Sequence, residues 1–412
     1  MIRVLALIVG LLTVTVCTQP AAARALPKVS LSVARDIPNK PKVAGRMTVR
    51  DRGRVDYRGR IGIERRGQTS QVRFPKKSWS VETRTARGGN RSVRLLGMPK
   101  GNDWVLYAPY NDKTLMRNVV AYATARWLGR YASRTRFVEL SLNGRSQGVY
   151  VLMERLKLDG DRVDVDKPGT LLEWTFAWQA RKKGTPFRLP RTKRTILFED
   201  PERGDLSPRR RAAVRTSLAA TERALYGQRF RDPARGWRAH LDEAAAVDFV
   251  LLNELFKNQD AFRGSTYLAR GGGGRWLLGP IWDFDIAIGN SDYGESRMVK
   301  GSMVARRQWA SRLYLDPRFQ RALAARWRAL RRRGLARHLQ RSVRGHADRL
   351  AASGAVGRNF RRWPVLGRRV WPNPAAAVQR TTYAEEVRAL RTWLRHRVAW
   401  LDGNVGRLRR AG

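Results

Sequence analysis

Residues 253–290 read NELFKNQDAFRGSTYLARGGGGRWLLGPIWDFDIAIGN, and the fold turns on how this stretch doubles back. A helical apolar pattern ends near Asn258-Gln259-Asp260. Ser265-Thr266-Tyr267-Leu268-Ala269-Arg270 reads as a strand, Gly271 to Gly274 as its turn, and Trp276 to Trp282 as the returning strand. In an antiparallel pair the start of the first strand lies beside the end of the second. Asp260 and Ser265 are therefore expected at the same open end as Asp283 and Asp285, so that three carboxylates and a hydroxyl converge there.

Upstream, Asp242 opens the helix that leads into this stretch, with Val247, Val250, Leu251, Leu255 and Phe256 along it. Ser207-Pro208 and Asp316-Pro317 open two more helices, each with a capping side chain followed by a first-turn proline. Phe319, Leu323, Trp327 and Leu330 stripe the second of these, and Tyr383, Val387, Leu390, Leu394, Val398 and Leu401 stripe the last helix. The N-terminal part has a different period. Arg60 to Glu64 and Ser78 to Glu82 alternate every second residue, and Phe137–Leu142 and Gln147–Met153 flank an Asn143-Gly144 turn whose two residues both tolerate positive φ. Between them Asp112 caps one helix carrying Leu115, Met116, Val119, Tyr122, Ala123 and Trp127, which Gly129 ends. The class expected is α+β: a strand-rich part with one helix over residues 26–160, and a mainly helical part over 161–412 that carries the acidic hairpin.

Lysine and arginine outnumber aspartate and glutamate by 83 to 34, a formal net charge of +49, yet 42% hydrophobic content with 14 Trp describes a folded chain. Such charge concentrates nucleotides, anionic polymers or acidic proteins at the surface. The other reading is an arginine-rich solvated surface, since the charge is spread over the whole chain. No nucleic-acid-binding module is present, and no nucleic-acid partner is expected. Residues 1–25 combine Arg3, an apolar run from Val4 to Val16, and Ala23-Arg24-Ala25, the pattern of a secretory signal peptide. The protein is accordingly expected to be exported, extracellular or envelope-associated. No later apolar run is long enough to predict a transmembrane segment after signal cleavage. The single cysteine, Cys17, lies in the signal behind Val16, a poor lipoprotein context, so the mature chain would have no disulfide and no cysteine zinc site. The four histidines show no metal-ligand spacing.

A carboxylate cluster suits a hard cation. Mg²⁺ is commonly held by one or two carboxylates plus substrate phosphates, which leaves another carboxylate to take a proton from an attacking hydroxyl. Phosphoryl transfer further asks for a positive group near the nucleotide, and Lys76 and Lys77 in Phe74-Pro75-Lys76-Lys77 are candidates. On a strand only one of the two faces the cleft, with Lys76 slightly favoured. Asp260 and Ser265 are separated by the interval between the catalytic-loop Asp and the metal-binding Asn of protein kinases. Other readings stay open: a structural Ca²⁺ or a turn cap for Asp283 and Asp285, and ion pairs for Arg117 and Glu154. Trp282 and Phe284 read as core residues flanking the turn.

Four stretches together resemble the CotH family, atypical kinases first associated with spore coats. They are Arg60 to Arg84 with its Phe-Pro-Lys-Lys step, Asp112 to Asn118, the hairpin from Asn143-Gly144 to Glu154, and Asn258 to Asn290. The resemblance implies a diverged protein-kinase-like two-lobed fold. Its strand-rich N-lobe would hold the nucleotide around Lys76, Lys77, Arg117 and Glu154, and its helical C-lobe would carry the site. Asp260 takes the catalytic role in that picture, Asp283 the metal, and Asp285 a second ion. Ser265 stands where ordinary kinases have asparagine, and no Gly-x-Gly-x-x-Gly loop precedes the lysines. The implied activity uses ATP with Mg²⁺ or Mn²⁺ to phosphorylate Ser or Thr of a secreted, coat or wall-associated protein, an acidic one suiting the basic surface. The rival is a non-catalytic extracellular binding module for an anionic wall polymer or coat protein.

Overall fold

The computed structural model describes residues 25–183 and 186–408; the expected signal segment lies outside them but for Ala25. Strands dominate the N-terminal part. β1 (Lys28–Ser32), β2 (Val43–Asp51), β3 (Arg54–Arg66), β4 (Ser78–Arg84), β7 (Asp103–Tyr107), β8 (Thr135–Leu142) and β9 (Arg145–Glu154) close into a barrel of order β1-β2-β3-β4-β7-β9-β8. A side pair, β5 (Val93–Leu95) with β6 (Met98–Gly101), interrupts the sequence order, and a short helix α1 (Thr69–Arg73) precedes β4. All barrel neighbours are antiparallel except β1 and β8, whose parallel contact closes the ring. Asn143 and Gly144 both have positive φ, the turn expected between β8 and β9.

Alternation sorts each strand between two environments. On β4, Trp79 and Val81 point into the barrel core, while Ser78, Ser80, Glu82 and Arg84 face a cleft outside it. β9 is apolar on both sides: Tyr150 and Leu152 fill the barrel, and Val149, Val151 and Met153 join the larger core beyond it. Helix α2 (Arg117–Trp127) contributes to that same larger core.

The C-terminal part is richer in strand than its sequence suggests. β10 (Thr170–Thr175), β12 (Thr195–Asp200) and β13 (Thr266–Arg270) form the middle of a five-stranded sheet edged by β11 (Phe187–Arg188) and β14 (Leu277–Leu278). The expected hairpin is there as β13 and β14, but the returning strand stops at Leu278, because Pro280 has no N–H to offer a ladder. Helices α3 (Ala177–Lys183), α4 (Pro208–Tyr226), α5 (Glu243–Phe256), α6 (Gln308–Leu313), α7 (Pro317–Arg332), α8 (Leu335–Ala352), α9 (Ala355–Arg362) and α10 (Tyr383–Asn404) complete the chain. Ser207, Asp242 and Asp316 cap α4, α5 and α7 through their side chains, as their sequence contexts predict. From Ala245 onward every residue of α5 is buried, which makes it the central helix of the molecule. Among the described residues no helix is long and apolar enough to cross a membrane.

Candidate active site

A cleft of about 1020 Å³ separates the outer face of β3, β4, β7 and β9 from the sheet of β12, β10 and β13. Asp260, Ser265, Asp283 and Asp285 all line it. The local chain explains why. α5 ends in a left-handed residue, Lys257, whose N–H returns to Asn253 and Glu254, and the backbone then turns sharply into Asn258-Gln259-Asp260. The Oδ1 of Asn258 accepts from the Asp260 N–H at 3.0 Å, while its Nδ2 donates to the Trp282 carbonyl at 3.3 Å. One side chain thus staples the two acidic loops together.

The second loop is held from behind. The Asp283 N–H donates to the Tyr122 hydroxyl at 3.2 Å and the Phe284 N–H to Asn118 Oδ1 at 2.6 Å, both on α2. Phe284 is fully buried, edge-on to Tyr122 and Phe256, and Trp282 stacks on Tyr122 with ring centres 5.8 Å apart. Asn290 donates to the Asp285 carbonyl at 2.6 Å and is itself held by Asn373 at 3.0 Å. Ser265 and Asp283 have φ of 46° and 65°, a left-handed conformation that costs a non-glycine residue roughly 1–2 kcal/mol and gathers at functional sites. The Ser265 hydroxyl donates to Asp283 Oδ2 at 3.3 Å.

Burial, and then the neighbouring charge of Asp283, push the Asp260 carboxyl up to about 7 against the pull of Arg263 and Arg307. Asp285 is held well above the usual carboxylate range by burial and by the charges of Asp283, Asp112 and Asp260, with a hydrogen bond from Asn111 opposing. Like charges crowded in a half-buried site are what a bound cation relieves. Asp283, Asp285 and Ser265 offer hard oxygen donors. Among the described residues no three His, Cys, Asp or Glu side chains form a ready-made metal cluster. Hard oxygen donors of this kind fit a Mg²⁺- or Mn²⁺-like ion, which commonly completes its shell with phosphate and water.

The structure does not bring the four expected nucleotide contacts to this cleft. Lys76 is 1% exposed; its ammonium donates to the Val149 carbonyl at 2.6 Å and to Asn359 Oδ1 at 2.9 Å, over the ring of Tyr150. Burial lowers its pKa far below the ordinary lysine value. Lys77 donates to the carbonyls of Gln71 and Phe74, closing the turn after α1. Neither lysine lies on a strand, since β4 begins at Ser78, so the alternation expected to aim one of them does not apply. Arg117 forms a buried ion pair with Asp112 and reaches the Ile288 carbonyl, bracing the loop after Asp285. Glu154 is fully buried against Arg134, Arg162 and Tyr131.

Other residues take up positions the sequence reading did not identify. Arg66 and Arg263 line the cleft, with guanidinium carbons 5.5 Å from the Trp282 ring centre and 5.9 Å from that of Phe176. Arg307 donates to the Gln259 carbonyl at 2.7 Å and more loosely to those of Asn258 and Ala261, so it holds the Asp260 loop by its backbone. No motif marks Arg307, which is remote from that loop in sequence and reaches it only through the fold.

Compared with known families, residues 63–401 match the model of the CotH kinase protein family. No curated protein matches the chain. The match spans most of the sequence, and the chain belongs to the CotH kinase family.

Proposed function

We propose that this CotH-family chain is an exported, metal-dependent phosphotransferase that moves the γ-phosphoryl group of ATP to a Ser or Thr hydroxyl of a protein. The strand-rich and helical parts would act as the two lobes of a diverged kinase-like fold, with the nucleotide between them. The observation that carries this reading is the convergence of Asp260, Asp283 and Asp285, from two loops stapled by Asn258, on one cleft. Asp283 and Asp285, helped by Ser265, would hold the divalent cation, which when bound neutralises phosphate oxygens. Asp260 takes the proton of the acceptor hydroxyl as its oxygen bonds to the γ-phosphorus and the bridging P–O bond to ADP breaks. Burial, the larger of the causes that raise the Asp260 carboxyl, favours its holding that proton. In this reading Arg66 and Arg263, which line the cleft, would meet the phosphate chain, since a guanidinium grips phosphate oxygens two at a time.

The experiment is incubation of the purified protein with γ-labelled ATP and Mn²⁺ beside Asp283→Ala. Labelling of protein should vanish in the variant while its thermal melt stays cooperative. A variant that labels at the wild-type rate refutes the metal role of Asp283. A melt raised by a polyanion but not by ATP with Mn²⁺ would instead mark a non-catalytic binding module.

A further inference from the structure

One wall of the cleft opens on an exposed aromatic rim that the phosphotransfer chemistry leaves unused. Tyr293 and Trp371, 36% and 40% exposed, stack with ring centres 5.8 Å apart and planes at 18°. The guanidinium of Arg73, at the end of α1, whose first residues line the cleft, lies 4.7 Å from the Trp371 ring centre. Three distant segments therefore meet here. Tyr293 and Trp371 line the same cleft as Asp260, and the Tyr293 carbonyl accepts from Gln259 Nε2 at 2.8 Å, one residue before that acid. The rim loops are joined to each other by the Asp292 N–H to the Pro372 carbonyl and by the Arg369–Asp292 ion pair. Burial and then the charges of Asp260 and Asp285 raise the Tyr293 phenol.

Large aromatic side chains in contact with water, next to an arginine, are the residues that dominate protein recognition. The charge around them selects the partner. Asp292 is paired with Arg369, and Glu295 with Arg306 and Lys257, so the acids of the rim loop itself are paired in place. Arg73 engages a ring instead of a carboxylate, and Arg65 on the adjoining wall is exposed.

Resting on the phosphotransfer reading, we propose that the Arg73–Trp371–Tyr293 rim is the acceptor-docking surface and that it takes an acidic protein segment, placing the segment's hydroxyl residue at Asp260. Carboxylates of the segment would meet Arg73 and Arg65, and its backbone would lie across the two rings.

The test separates docking from chemistry. A fluorescent Ser/Glu-rich peptide is titrated without nucleotide against the wild-type protein, Arg73→Glu, Arg73→Lys, Trp371→Ala and Arg341→Glu, the last reversing an exposed charge on α8 outside the cleft lining. Arg73→Glu and Trp371→Ala should each weaken binding about tenfold or more, with Arg73→Lys close to wild type. Arg341→Glu should change it little beyond the general effect of net charge. In labelling assays the rim variants should raise the peptide KM and leave kcat near wild type. Equal weakening by Arg341→Glu and Arg73→Glu, or equal binding of a Ser/Gln-rich peptide, overturns the rim as a docking site even if Asp283-dependent labelling stands. A peptide that docks through the rim but is never labelled leaves the surface in place and overturns the phosphotransfer reading.

Discussion

Lys76 gives the sharpest test of scaffold against chemistry, because the sequence points it toward nucleotide and the fold points it elsewhere. In Lys76→Met the side-chain volume is nearly kept while the ammonium is lost. The ammonium makes two short hydrogen bonds, to Val149 O at 2.6 Å and Asn359 Oδ1 at 2.9 Å, and sits 5.0 Å from the Tyr150 ring centre. A hydrogen bond to a charged group contributes roughly 1.5–3 kcal/mol, and a desolvated cation–π contact roughly 2 kcal/mol. Against these stands the cost of keeping an ammonium out of water, several kcal/mol, which methionine does not incur. The net loss of stability should be about 2–4 kcal/mol, within the range seen when one partner of a buried polar pair is removed. Asn359→Ala should cost a similar amount, since Asn359 Oδ1 also accepts the Val149 N–H at 3.1 Å.

Urea unfolding and steady-state kinetics on the same preparations distinguish the two roles. The expected pattern is a lower urea midpoint with an unchanged m-value, and a KM for ATP within about twofold of wild type under conditions where the variant is folded. The opposite pattern, wild-type stability with a KM for ATP raised about tenfold or more, would mean that Lys76 meets phosphate and that the burial argument is wrong.

Asp260→Asn should lower kcat about 10²–10⁴-fold while ADP with Mn²⁺ still raises the melting temperature; a variant active at the wild-type rate removes Asp260 as the base. Arg307→Met should free the carbonyls of residues 258, 259 and 261, seen as faster amide exchange in that loop with a fall in kcat; unchanged exchange would deny Arg307 its positioning role. His346 is lowered to about 4 by burial and by Arg349, Arg126 and His338. The unfolded chain then binds a proton below its own pKa of about 6.5 that the folded chain refuses, so stability should fall by up to about 3 kcal/mol from pH 6.5 to 4. His346→Gln should flatten that slope, and an unaltered slope assigns it to other groups.

The parts of the fold legible in sequence are those set by local chemistry. Asn143-Gly144 needs two positive-φ residues, and the caps at Ser207, Asp242 and Asp316 need only a side-chain oxygen three or fewer residues from an amide. The parts that escaped depend on distant partners. β10 is buried at all six positions, so Thr170–Thr175 shows no alternation, and its neighbours β12 and β13 lie far apart in sequence. Barrel closure likewise rests on β1 meeting β8 in parallel across more than a hundred residues, with no local signal.

The acids were legible because they sit at the ends of one hairpin, whereas what fixes their geometry was not. Glu254, on the last turns of α5, accepts from the N–H groups of Met303, Val304 and Ala305 and from Arg397 of α10, an ion pair with no exposure on either side. The turn so held delivers Arg307, two residues on, to the carbonyls behind Asp260. A buried ion pair seldom stabilises more than well-packed hydrophobes would. Its value here is directional: hydrophobes of equal volume would fill the space but would not fix three backbone amides and thereby aim an arginine. The helix nearest the C-terminus thus acts on an acid more than a hundred residues before it, through contacts that no spacing rule in the sequence encodes.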